Sequence, residues 1–222
     1  MKTEHFLPSD IERTSLSIIS AELDEMGLSI PGEHEAVVRR VIHTTADFDY
    51  AKNLRFSADA VGRGMKALLN GNIITDTNMA LAGISKAALK TLNCTAQCFM
   101  ADPEVAQTAK LEGTTRAVAS MKKAAEVFEH PILAVGNAPT ALLTIAELME
   151  SGFLPALVIA VPVGFVNVVE SKELLFAACE KNNIPCIAAM GRKGGSTVAA
   201  AICNALLYSA ADMLDPEKRG WN

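Results

Sequence analysis

No stretch of this 222-residue sequence is apolar for long enough to cross a membrane. The longest apolar run, Pro155 to Val166, is broken by Pro162 and Gly164. The opening Met1-Lys2-Thr3-Glu4-His5 is polar and lacks the apolar core of a secretion signal. There is no CxxC pair: the five cysteines, Cys94, Cys98, Cys179, Cys186 and Cys203, are odd in number and scattered. That pattern excludes a disulfide framework, gives no metal site, and reads as reduced thiols in a cytoplasmic protein. Positive charge is not in excess either. Lys and Arg number 20 against 25 Asp and Glu, a formal net charge of −5, so neither nucleic acid nor an anionic membrane is a natural partner. Neither GxGxxG nor GxxxxGK[ST] occurs, so nucleotide and dinucleotide cofactors lack their usual phosphate loops. No low-complexity linker divides the chain, which fits one domain over 1–222, its polar 215–222 end expected as a mobile tail.

Half of the residues are apolar, enough for a large core. Ser9-Asp10-Ile11-Glu12 opens a first helix with Ile11, Ile18, Ile19 and Leu23 at helical spacing, ended by Gly27. Pro31-Gly32-Glu33 opens a second, to about Ala46, with Val37, Val38, Val41 and Ile42 as its apolar stripe. Short apolar strands are then expected at 54–56, 72–75, 94–98, 132–135, 156–161 and 186–189. Helices between and after them are expected at 57–69, 76–92 with a break at Gly83, 103–129 with a break near Gly113, 138–150, 168–182 and 195–213. Strands alternating with helices of this length imply a single-domain, three-layer α/β fold. Its mainly parallel sheet of five or six strands would carry helices on both faces. The alanines of the last helix, Ala199 to Ala201, Ala205, Ala210 and Ala211, permit close approach of a second subunit.

Three glycine-marked junctions follow apolar strands: Gly136-Asn137-Ala138-Pro139-Thr140, Pro162-Val163-Gly164-Phe165-Val166-Asn167, and Gly191-Arg192-Lys193-Gly194-Gly195-Ser196. In a parallel sheet such loops gather at the carboxyl edge, where helix N-termini offer N–H groups and partial positive charge. They read as a cradle for a large anion, with Asn137 capping its helix, Lys193 a point charge, and Gly194 and Gly195 letting amides approach. Thr114-Thr115-Arg116 puts another basic side chain near a helix start, and Lys172 follows the 161–167 loop. Of the four histidines, His5 and His34 read as exposed terminal and first-turn residues, and His130, before the strand at Pro131, as the cap of a helix end. His43 stands out because Arg40, His43 and Asp47 follow i, i+3, i+7 spacing on one helix face, a cation and a carboxylate flanking an imidazole. Spacing alone leaves two readings open: an acid–base group with Asp47 orienting the ring, or a solvated face of mixed charge.

Arg40-Val41-Ile42-His43, Asp76-Thr77-Asn78-Met79, Thr115-Arg116, Gly136-Asn137-Ala138-Pro139-Thr140-Ala141-Leu142, Pro162-Val163-Gly164-Phe165-Val166, Glu170-Ser171-Lys172 and Gly191-Arg192-Lys193-Gly194-Gly195-Ser196 together resemble the precorrin-8X (cobalt-precorrin-8) methylmutase family, in order and over nearly the whole chain. The resemblance implies an isomerase of cobalamin biosynthesis, moving a methyl group from C-11 to C-12 of a corrin precursor by a [1,5]-sigmatropic shift to give hydrogenobyrinic or cobyrinic acid. It implies His43 as general acid and Ser15, Arg40, Ser85, Arg116 and Gly194–Gly195 as substrate-binding positions. Asn137 and Lys193 join them from the anion-cradle reading. Ser85 departs from a threonine expected in some members but keeps the hydroxyl, and Lys193 sits at a variable position. No cofactor or protein-bound metal is implied; any cobalt would travel inside the polycarboxylated substrate. A homodimer is implied as well. The rival reading is a carrier that holds the corrinoid without converting it.

Overall fold

The computed structural model describes residues 7–219. Eleven α-helices, two short 3-10 turns and six strands make up the regular structure of these residues. The amino-terminal part comprises α1 (Pro8–Glu25), α2 (Gly32–Thr45), the short α3 (Tyr50–Asn53), β1 (Leu54–Phe56) and α4 (Ala60–Ala67). Then come β2 (Asn72–Thr75), α5 (Asn78–Gly83), α6 (Lys86–Thr91), β3 (Thr95–Gln97), α7 (Pro103–Leu111) and α8 (Arg116–Val127). The remainder is β4 (Ile132–Val135), α9 (Pro139–Glu150), β5 (Leu157–Ala160), α10 (Val168–Lys181), β6 (Cys186–Ala189) and α11 (Ser196–Ala210).

The strands form one sheet in the order β1-β6-β5-β4-β2-β3, parallel throughout except for β1, which runs antiparallel to β6 with Leu54 opposite Ala189. Strand alternation explains the three layers. Ile73, Ile132, Ala134, Leu157, Ile159, Ile187 and Ala189 face a core closed by α1, α2, α4, α5, α6 and α11. Their neighbours Ile74, Leu133, Val135, Val158, Ala160, Cys186 and Ala188 face the opposite core under α8, α9 and α10. Every residue of β4, β5 and β6 is buried, the near-continuous apolar pattern of strands covered on both faces. Truncating one of their leucines or isoleucines to alanine would cost about 2–5 kcal/mol. From β2 the chain turns to β3 on one side, then returns to β4 and proceeds through β5 to β6 on the other. The change of direction between β2 and β4 marks the crevice where open α/β sheets bind ligands.

Three expectations need correction. The alanines of α11 are used within the chain: Ala199, Ala200, Ala201 and Ala205 are all buried, allowing α11 to lie close against its neighbours, and Gly83 of α5 comes so near that a Cβ there would stand 2.8 Å from the Ala200 Cβ. The carboxyl end is not a free tail over 215–219. Pro216–Arg219 forms a 3-10 turn whose Arg219 is buried, its guanidinium held by Glu12, while 220–222 lie outside the described residues. His34 is not a simple exposed group: its ring stacks on Phe56 at 3.9 Å. His5 lies outside the described residues.

Candidate functional site

The junctions after β4, β5 and β6 meet at the carboxyl edge as expected, but they are stitched to one another. Gly195 N–H donates to Val161 O at 2.8 Å and Gly164 N–H to Arg192 O at 3.2 Å. Gly136 packs so tightly on the start of α11 that a Cβ would stand 2.8 Å from Ser196 Cα, and Thr77 Oγ1 and Ser196 Oγ are 2.8 Å apart.

The crevice at β2 and β4 is filled from inside. Asp76, 1% exposed, accepts Gly136 N–H on one carboxylate oxygen and Asn137 and Ala138 N–H on the other, each at 2.8 Å. Burial pushes the Asp76 carboxyl above its ordinary range, and the three N–H donors offset that only in part. Asn137 therefore does not cap α9 with its side chain. The capping position is Ala138, and the carboxylate of Asp76, from after β2, supplies the acceptor at that helix N-terminus. The amides expected to cradle a ligand here already hold an anion of the chain's own.

Lys193 is corrected too. Its ammonium donates to Asp47 at 2.7 Å and Asp49 at 2.5 Å, which raise its pKa and hold the Asp47 carboxyl below its ordinary range. Asp47 thus pairs with the β6–α11 loop and does not orient His43, and Lys193 anchors the end of α2. Lys172 is fully buried beneath the β6–α11 loop. It donates to Gly191 O and Lys193 O, both at 2.8 Å, clasping the same loop from beneath.

His43 lies in the last turn of α2, near the point where Asp47 and Lys193 tie that helix end to the carboxyl edge. With Ser15, Ile18, Ile19 and Phe48 it lines a depression of about 290 Å³ between α1 and α2. Ser15 is held by an O–H donated to Ile11 O at 2.8 Å. Although the residue as a whole is exposed, partial burial of the ring pushes the His43 pKa below its ordinary value. Arg40 and Arg219 push the same way, and Glu12 opposes them.

Arg40 is turned inward, donating to Glu12 at 2.7 Å. It also borders a cavity of about 360 Å³ with Thr44, Met79, Thr197, Asn204 and Tyr208. Ser85 caps α6 through Ala88 N–H at 3.4 Å, and its own N–H donates to Asn204 Oδ1 at 2.8 Å, so it adjoins that cavity through Asn204. Arg116 is the exposed first residue of α8, whose cap Thr115 lies 3.2 Å from Thr140 at the start of α9. The predicted residues thus do not line one pocket. A depression of about 450 Å³ at the α1–α2 turn holds none of them. Among the described residues no group of three or more His, Cys, Asp or Glu side chains could hold a metal ion.

Sequence reasoning missed Glu12 and Arg219, and it took Asp76 only as part of a family motif, without its role. Glu12 carried a local signal, standing three residues before Ser15 in α1, whereas Arg219 and the Gly136 loop reach their partners only through the fold.

Comparison with known proteins matches residues 10–209 to the family model described as precorrin-8X methylmutase. The chain is 46% identical over 206 residues to a cobalt-precorrin-8 methylmutase of Salmonella typhimurium, covering 90% of this chain and 95% of that protein. It is 37% identical to a precorrin-8X methylmutase of Pseudomonas aeruginosa, covering 88% and 93%. The crystal structure of a precorrin-8X methyl mutase from Thermus thermophilus superposes with a TM-score of 0.81 at 39% identity, covering 91% of this chain and 98% of that one. With the α/β architecture and the ordered motifs in agreement over nearly the full length, the chain belongs to the precorrin-8X methylmutase family, the isomerases that move a methyl group within a corrin precursor of cobalamin biosynthesis.

Proposed function

We propose that this protein shifts the methyl group of (cobalt-)precorrin-8 from C-11 to C-12 with His43 as the general acid. The reaction is an isomerisation: the bond from C-11 to the methyl carbon breaks as the bond from C-12 forms, and no methyl donor or cofactor is consumed. His43 protonates a ring nitrogen or ring-edge position, drawing electron density through the conjugated macrocycle, and recovers the proton after the shift. A positioned acid of this kind contributes about 10²–10⁴-fold. Holding the macrocycle in one geometry supplies more. Rim carboxylates of the substrate meet Arg40, Arg116 and the hydroxyls of Ser15 and Ser85, with arginine preferred for bidentate carboxylate contacts.

The observation that carries this reading is the depression shared by His43 and Ser15 at the end of α2. Its acid function requires the imidazolium, so turnover falls as pH rises through the depressed His43 pKa. A polyanionic substrate bound beside the ring would raise that value and favour the proton donor. The remaining rim residues lie outside the depression, which supports a site completed by a second copy of the chain. Two further observations support that dimer: Ile18, 52% exposed, borders the depression, and Ile11, 49% exposed, sits one turn before Ser15 on the same helix. We place the enzyme in the cytoplasm, where its five thiols would stay reduced; none is disulfide-bonded.

The test is His43→Ala. It should bind hydrogenobyrinic or cobyrinic acid as the parent does while losing about 10²–10⁴-fold in turnover. Isomerisation at the parent rate would overturn the assignment, and assays with metal-free and cobalt-containing substrate would identify the natural form. A carrier, by contrast, would bind the corrinoid and give no spectral change over many equivalents.

A further inference from the structure

One carboxylate holds two arginines beside the proposed acid. Glu12 Oε1 accepts from Arg40 Nη2 at 2.7 Å and from Arg219 Nη2 at 2.6 Å. The three side chains are 5%, 11% and 2% exposed, so water screens little of their interaction. The Arg40 guanidinium lies 5.3 Å and that of Arg219 4.5 Å from the ring centre of Tyr208, which belongs to α11. Four segments therefore converge here: α1 through Glu12, α2 through Arg40, α11 through Tyr208, and the carboxyl-terminal turn through Arg219. Arg40 stands one helical turn before His43. Burial raises the Glu12 carboxyl, but the bonds from Arg219 and Arg40 outweigh it and keep the group below its ordinary range, hence ionised.

We propose that Glu12 and Arg219 are positioning residues for the methyl shift: together they fix Arg40 in place and set the charge that His43 feels. The proposal rests on the reading of His43 as the acid. Within the triad, Glu12 opposes the charge that both guanidiniums place near His43. Among the described residues, the groups facing His43 come from three segments. From α1 come Glu12 and Glu22, with the neutral Ser15; from α2 comes Arg40; from the carboxyl-terminal turn comes Arg219. Asp47, just beyond α2, is engaged by Lys193. Two guanidiniums partly offset by one carboxylate make the imidazolium easier to deprotonate without repelling it altogether, suiting a group that must both release a proton and recover it. They also attract the carboxylate rim of the substrate toward the same helix face.

A merely structural ion triad and a charge-setting one predict different results. Relative to the parent, Glu12→Gln adds one unit of positive charge, Arg219→Met removes one, and the double variant restores the balance. The His43 ring titration, followed by NMR in the full-length protein and assigned by its loss in His43→Ala, reads the difference. Its midpoint should move to lower pH in Glu12→Gln, to higher pH in Arg219→Met, and back toward the parent value in the double variant. Arg219→Lys, which keeps the charge, should leave it in place. Should Glu12→Gln fail to fold, the Arg219→Met and Arg219→Lys pair still decides. Midpoints that stay put, or that all move the same way, overturn the proposal. The alkaline limb of the turnover profile should follow the ring titration in every variant. If the ring moves and that limb does not, the reading of His43 as the acid falls, and with it the role proposed for the triad in the reaction.

Discussion

Lys172 illustrates at the residue scale how chemistry hidden in the interior shapes the site. Its ammonium is fully buried with only backbone carbonyls as partners, and burial pushes its pKa down to about 8 from 10.5. A lysine whose folded pKa lies below its unfolded value holds its proton less tightly in the folded state. The resulting penalty is present below the folded value and is relieved as pH rises from about 8 toward 10.5. Relative to Lys172→Met, which has no such group, the parent should therefore gain up to about 3 kcal/mol across that window. Denaturant midpoints for both proteins on either side of it would show this, and a pH-independent difference would contradict it. The spacing of Arg40 and His43 was legible because it is local, set by helical geometry. Their partners were not: Glu12 lies in another helix, Arg219 at the far end of the chain, and Asp47 turned to a lysine that spacing could not bring near it.

The functional edge is a matter of elements, and strand ends and helix starts there lock together through backbone. Gly194 has φ +156°, and a Cβ on it would run into Val161 O, with Val161 C at 2.8 Å and Pro162 O at 2.9 Å. Those atoms are main chain and cannot swing aside. Gly194→Ala should therefore cost about 1–3 kcal/mol as overpacking. By displacing the loop that carries Lys193 away from Asp47 and Asp49, it should also weaken corrinoid binding. Thermal unfolding and product titration check the two effects, and unchanged values in both would show that the loop adapts. Short apolar strands bounded by glycine, proline and asparagine were legible down to β4 and β6, whose predicted bounds, 132–135 and 186–189, match the observed ones. The antiparallel entry of β1 and the one-turn α3 before it were not. Direction in a sheet depends on where the preceding chain arrives, and a four-residue helix has too little pattern to read.

For the whole molecule, the distribution of the proposed rim residues over separate depressions makes assembly the main question. A second copy covering α1 beside His43 should be disrupted by Ile18→Arg, which places a charge in an apolar contact. Sedimentation of the parent should give a dimer and of the variant a monomer, with turnover lost while the chain stays folded; an active monomeric variant would remove the need for a shared site. The sequence by itself determined the layered α/β fold, the order of its elements, the family and the candidate acid. Those features are written in local periodicity, in turn residues and in ordered motifs. Only the tertiary structure decided which charges are held by partners within the protein. Asp76 fills the anion nest after β4, Lys193 ties down α2, and Glu12 divides its charge between Arg40 and Arg219. The physical reason is that a buried charge must find a partner, and the fold, which joins residues far apart in sequence, chooses which one.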